Sequence, residues 1–233
     1  MFKGTVCAIA LAGAALLASS GARAASYTTL DLPSRNADIR TWTDGGTYIP
    51  LFPSTQTWNG VPFDLAADGA GNTVFMSGTL DIPVNLFGIS TANTIVNSSW
   101  GSFGSVVGSV EFFGTNGAYH KVDLVEGTNV RDHYAGGYNN IIDGVSAVPA
   151  FDNGSSRARL DMQIYTLPAV FHAETLETIR FVGAGGNPQG APFIAAASVT
   201  AVPEPETWAL TLAGLVLLAG GFCRGAKSST AKG

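Results

Sequence analysis

Short stretches of alternating hydrophobicity, each closed by a glycine-, asparagine- or aspartate-rich cluster, fill the middle of this chain and leave no room for a long helix. Leu160, Met162 and Ile164 alternate with Asp161, Gln163 and Tyr165, which is the period of a half-buried strand. Residues 106–113 and 119–126 are two β-rich runs joined by Gly114-Thr115-Asn116-Gly117, the pattern of a hairpin. Further strands are expected near 74–79, 89–95, 176–182 and 193–200. Turn clusters separate them: Asp44-Gly45-Gly46, Asp68-Gly69-Ala70-Gly71-Asn72, Asp152-Asn153-Gly154 and residues 183–190. Residues 173–180 are the only stretch that could make a helical turn. Many short strands with glycine-rich turns predict an all-β domain, a β-sandwich or barrel. A jelly-roll order is the first expectation and an immunoglobulin-like sandwich the second. No fixed-period repeat is present, which argues against a propeller or solenoid.

The two ends have a different character. Lys3 precedes an apolar run over residues 6–17, and Ala22-Arg23-Ala24 is a small-x-small site. These features predict a signal peptide over 1–24, removed by signal peptidase so that the mature chain starts near Ala25. At the other end, Val202-Pro203-Glu204-Pro205 leads into an apolar run over about 207–222, then Arg224, Lys227 and Lys232. Pro203 and Pro205 cannot sit inside a regular helix, so they hold an extended stretch before it. Trp208 follows, where an interfacial aromatic would sit. The run is apolar all round, unlike the surface helix of a globular domain. At 1.5 Å per residue it reaches roughly 24 Å, short of the ~30 Å hydrocarbon core. A single transmembrane helix of this length suits a temporary anchor, and the basic tail favours a cytoplasmic C-terminus. The expected organisation is a signal peptide (1–24), a β-sandwich domain (25–201) and a sorting segment (202–233).

Val202-Pro203-Glu204-Pro205, with Trp208, Leu210, Gly214-Leu215, Leu217-Leu218 and Arg224, resembles the PEP-CTERM sorting signal. The resemblance implies an exosortase-type sorting enzyme as partner and cleavage near Pro203 to Pro205. It also implies transient inner-membrane anchorage, a final place at the cell surface or in the extracellular matrix of a Gram-negative bacterium, and a setting of exopolysaccharide production. That family ends in a run of arginines, whereas here Arg224 stands with Lys227 and Lys232.

Charge narrows the partners. The whole chain carries 12 Lys and Arg against 17 Asp and Glu, a formal net charge of -5. The basic residues of the middle are Arg35, Arg40, Lys121, Arg131, Arg157, Arg159 and Arg180. An acidic body argues against nucleic acid and anionic lipid. Both cysteines, Cys7 and Cys223, lie in the ends, so the body has no disulfide or thiol chemistry.

Asn129, Arg131, Asp132, His133 and Tyr134 form the densest polar cluster of the body, in an expected loop before Gly136-Gly137. Loops on a rigid sandwich are common binding sites. Arg, Asp, Asn and Tyr together suit a glycan, offering fork-shaped donors, carboxylate acceptors and an aromatic face. The candidate glycan-binding residues are Asn129, Arg131, Asp132 and Tyr134. On this reading alanine at Arg131 or Asp132 abolishes binding and leaves the melting temperature unchanged. The alternative is a surface Arg131–Asp132 contact beside an aromatic that closes the core edge. Trp42, Trp58 and Trp100 lie beside turn residues, as stacking platforms or as plugs of an open sandwich end.

Asp68-Gly69-Ala70-Gly71-Asn72 places oxygen ligands at alternate positions but lacks the terminal bidentate Glu of a calcium loop, and a plain turn is the preferred reading. No metal site and no cofactor are expected, with a structural Ca²⁺ left open. His120, His133 and His172 lack metal-ligand spacing, and no Gly-x-Ser-x-Gly elbow is present. Asp161 with Glu174 or Glu177 is the one imaginable glycosidase pair, so catalysis is not expected. Gly60-Val61-Pro62-Phe63, Gly101, and Asp123-Leu124-Val125-Glu126-Gly127 before Asn129-Val130-Arg131-Asp132 resemble the galactose-binding-like jelly rolls that bind carbohydrate. The expectation is therefore an exported, non-catalytic, glycan-associated matrix protein. The alternatives are a structural matrix component without a ligand site, and a polysaccharide hydrolase.

Overall fold

Twelve strands account for about half of residues 26–136, 139–184 and 190–202, which are the residues that this computed structural model describes. Ser26–Val202 form a unit of their own. The expected signal peptide with Ala22, Ala24 and Ala25, the motif residues Pro203, Glu204 and Pro205, the apolar run, and Arg224 and Lys227 lie outside the described residues.

The strands are β1 (Tyr27–Leu30), β2 (Ser54–Trp58), β3 (Val61–Leu65), β4 (Phe75–Met76), β5 (Gly78–Phe87), β6 (Ile89–Asn97), β7 (Val106–Gly114), β8 (Tyr119–Val125), β9 (Ala147–Asn153), β10 (Ala158–Thr166), β11 (Thr175–Gly183) and β12 (Phe193–Ala201). One sheet runs β1-β12-β6-β10-β9, with β4 also paired to β12. A second runs β5-β11-β7-β8, and β2-β3 stand apart as a hairpin. Every strand pair is antiparallel. The body is an all-β antiparallel sandwich.

Successive side chains of a strand point to opposite faces, and the six-stranded sheet is buried on both. Val96, Ile194, Ala197 and Val199 share one hydrophobic cluster with Ile82, Val110, Phe112, Ile179 and Phe181 of the four-stranded sheet. Ile95, Leu160, Met162, Phe193 and Ala196 share another with Ile39, Tyr48, Phe52, Phe63 and Val74 of the segment between β1 and β4. Strand β3 packs across β1 and β12. A strand covered on both sides reads as a continuous apolar run, and eight of nine residues of β12, Phe193-Ile194-Ala195-Ala196-Ala197-Ser198-Val199-Thr200, are buried. Each fully buried Phe or Ile in these layers contributes about 1.5–3 kcal/mol relative to exposure.

Several elements differ from the sequence expectation. The strand expected at 74–79 splits, because Ser77 and Gly78 have φ of 56° and 89°. β4 joins β12, while β5 continues to Phe87 and pairs with β11. The turn near 173 is a 3-10 segment, Ala169–Ala173, and Thr175–Gly183 is strand. Asp161 and Gln163 are fully buried rather than solvent-facing, because β10 is covered on both faces and their polar atoms are paired. The Gln163 carboxamide exchanges bonds of 2.9 and 2.7 Å with the Val96 backbone, accepts from Thr94 and donates to the Asn129 carbonyl.

Candidate functional site

The segment after β8 behaves less like a free loop than like an extra thread across the strand ends. Ser98 N–H donates to the Arg131 carbonyl, His133 N–H to the Ser98 carbonyl, and Arg159 N–H to the His133 carbonyl. This threading buries the polar cluster. Asn129 is tied to the end of β8, accepting from Val125 N–H at 2.8 Å and donating to the Asp123 carbonyl at 2.9 Å. Arg131 grips Asp161 through Nε and Nη2 at 2.8 and 2.7 Å, and Asn97 Nδ2 completes the Asp161 carboxylate at 2.7 Å. Its Nη1 donates to the Asn140 carbonyl. Arg131 therefore pairs with Asp161 inside the protein and makes no surface contact with Asp132. Asn129 and Arg131 hold the fold together, whereas Asp132 and Tyr134 reach a cavity.

That cavity is an open cleft of about 660 Å³, lined by Trp42, Asp44, Met76, Ser99, Trp100, Asp132, His133, Tyr134 and Ala191. Five stretches of chain converge on it, around residues 42–44, 76, 99–100, 132–134 and 191. Trp42 stands in the turn after Ile39, with its ring 5.5 Å from the His133 ring and 6.0 Å, edge on, from Phe193. Trp100 follows β6 and is 53% exposed. The rim beside it is closed by reciprocal bonds between Ser99 and Ala191 at 3.0 and 2.9 Å. Tyr134 is backed by Arg157, whose guanidinium lies 5.6 Å over the ring. Tyr134 Oη also donates to Asp44 Oδ2 at 3.4 Å.

One carboxylate organises this arrangement. Asp132 is 2% exposed. Its Oδ2 accepts Trp100 N–H and its Oδ1 accepts Tyr134 N–H, both at 2.7 Å. Trp100 has a φ of 68°, a region that costs a non-glycine residue about 1–3 kcal/mol and persists only under constraint. A charge-assisted bond from a buried carboxylate supplies one such constraint. Burial raises the Asp132 pKa above the ordinary carboxylate range, against the pull of its two amide donors. Glu126, buried beneath Gly101, is raised by burial as well. His133 is pushed down to about 4 by burial, with Arg159 adding to the effect. It is neutral at pH 7 and shares a 3.3 Å contact with Tyr48 Oη.

The other singled-out residues lie elsewhere. Trp58 packs on Phe63 within the β2–β3 hairpin. Glu174 accepts the Asn116 and Ala118 amides and holds the β7–β8 turn. Asp68 folds back on Ala70 N–H, Asn72 N–H and Asn72 Nδ2, so its oxygens close a turn. Among the described residues no group of three or more His, Cys, Asp or Glu is placed to hold a metal, and no helix is long and apolar enough to cross a membrane. Val202 ends the described chain, its N–H bonded to the Gly88 carbonyl at 2.7 Å. Trp42 and Trp100, two of the three turn-located tryptophans, line the cleft, whereas Asp44, Met76 and Ser99 carry no site signal in the sequence, since only the fold brings them to the Asp132 segment. Comparison with known families and curated proteins finds no matching family model and no significantly similar curated protein.

Proposed function

We propose that this chain is an exported, exosortase-sorted protein of the cell surface or extracellular matrix whose β-sandwich binds glycan without catalysis. The observation that carries the binding reading is the cleft itself. Trp42, Trp100 and Tyr134 present aromatic surface around polar groups at Asp44, Ser99 and Asp132. Ligand sites are typically concave and apolar with a few placed polar groups, and sugar C–H faces stack on such rings. The fold reading is a jelly roll. It is supported by the orders β1-β12-β6-β10 and β5-β11-β7-β8, in which successive strands mostly alternate between two sheets, as in a double Greek key. The sorting reading rests on the end segments of the sequence.

The non-catalytic reading is supported by how the carboxylates are used. Asp161 is held by Arg131, Glu174 holds turn amides, and both Asp132 oxygens accept backbone N–H groups. Asp132 is therefore poorly set to present a proton to a glycosidic oxygen. A glycan array on purified Ser26–Val202, which contains both hydrophobic clusters, tests the binding reading: no signal above background rejects it. Terminal peptides of the chain from hosts with and without a sorting enzyme test the export reading. It is rejected if residues 208–233 are retained in both.

A further inference from the structure

The charge of the cleft narrows the ligand within the glycan reading, on which this inference rests. Asp44 and Asp132 are its charged lining residues, and both are acidic. The lining imidazole, His133, is neutral at pH 7. The neighbouring arginines face other partners. Arg157 lies against the Tyr134 ring with Nη1 on Tyr134 Oη. Arg131 is held by Asp161. Arg159 donates to the backbone carbonyls of Asp132, Tyr134 and Asn139.

Asp132 is enclosed and supplies field rather than contact, but Asp44 is exposed and its one side-chain bond is long, 3.4 Å. Trp42 and Trp100 add aromatic surface, which attracts cations, and the Tyr134 ring already carries the Arg157 guanidinium. A carboxylated sugar entering here would meet Asp44, and the exposed cation beside it, Arg157, is already engaged by Tyr134. A protonated amine would meet a carboxylate and aromatic faces together.

We propose that the cleft binds an amino sugar through its protonated amine, with Asp44 as the charge partner and Trp42 and Trp100 as the stacking walls. The preference over a neutral sugar is about three- to tenfold, the scale of one exposed ion pair plus a cation–π contact. It shrinks as salt is raised.

The test is titration calorimetry of Ser26–Val202 with three probes: a glucosamine oligomer, its N-acetylated form and a glucuronate oligomer. A mildly acidic buffer keeps the amine protonated and His133 neutral. The expected order is amine, then N-acetyl, then glucuronate, with the amine advantage lost in Asp44→Asn, whose exposed position leaves the fold intact. Glucuronate binding equal to or tighter than the amine form overturns this inference and leaves the glycan reading standing, as does an amine advantage that survives Asp44→Asn. Absence of binding by all three probes overturns both.

Discussion

The carboxylate of Asp132 accepts the amide of Trp100 at 2.7 Å and, through its other oxygen, the amide of Tyr134 at the same distance. One buried side chain thus fixes two aromatic walls of the cleft. Asp132→Ala leaves two amides short of an acceptor and frees a left-handed Trp100. A loss of about 2–4 kcal/mol in urea unfolding is expected, together with loss of glycan binding. Unchanged stability would contradict the positioning role.

Arg131 is a fold residue, contrary to the sequence expectation that its removal spares the melting temperature. Arg131→Ala strands Asp161, which is fully buried, and costs about 3–5 kcal/mol. Replacing both partners by apolar residues of similar size recovers most of that loss. Chemical denaturation of the single and double variants measures the coupling, and additive losses would disprove it.

Acid sensitivity follows from His133. Its folded pKa of about 4 lies below the ordinary 6.5. Above pH 6.5 both folded and unfolded chains hold it neutral, and its contribution to stability is full. Between 6.5 and 4 only the unfolded chain takes up the proton, so stability falls with pH by up to about 3 kcal/mol. Asp132 and Glu126, raised by burial, oppose this. Their contribution is full below the ordinary carboxylate range and is lost as pH rises through their raised values, so the net slope is shallower than that of His133 alone. An imidazole resonance for His133 that stays in its neutral form at pH 5 is expected, and titration above pH 6 would contradict the buried placement.

Gly101 lies against Glu126 so closely that an added Cβ would overlap its carboxyl group. Gly101→Ala must displace the buried carboxyl, at a cost of about 1–3 kcal/mol. Thermal melts should show the loss, and its relief when Glu126 is shortened to Ala. A neutral Gly101→Ala would mean that Glu126 is not packed there.

Local signals carried much of the fold. The β7–β8 hairpin and strands β6, β10, β11 and β12 were legible from alternation and turn residues. Strand β5 is legible too, since Leu80, Ile82, Val84 and Leu86 alternate with polar or proline positions, and it runs on past the expected end at Thr79 to Phe87. Asn59-Gly60, with φ of 52° and 80°, is a hairpin signal flanked by Trp58 and Val61, yet neither β2 nor β3 was expected. The site was only half legible. Asp132 and Tyr134 belong to a dense polar cluster, but the same cluster contains Arg131 and Asn129, which face inward. Composition cannot tell an arginine aimed at a ligand from one aimed at a buried aspartate. Trp42 and Asp44 reach the cleft only through the long segment that covers the six-stranded sheet, a nonlocal packing that no window of sequence encodes.

Whether the cleft holds glycan is decided by binding of the producing cell's own exopolysaccharide to Ser26–Val202 and to its Trp100→Gly variant. Glycine suits the left-handed backbone and retains the amide that Asp132 accepts, so the melting temperature should change little. Binding by the wild type and its loss in the variant are expected. Equal binding by both proteins would contradict the cleft as the site.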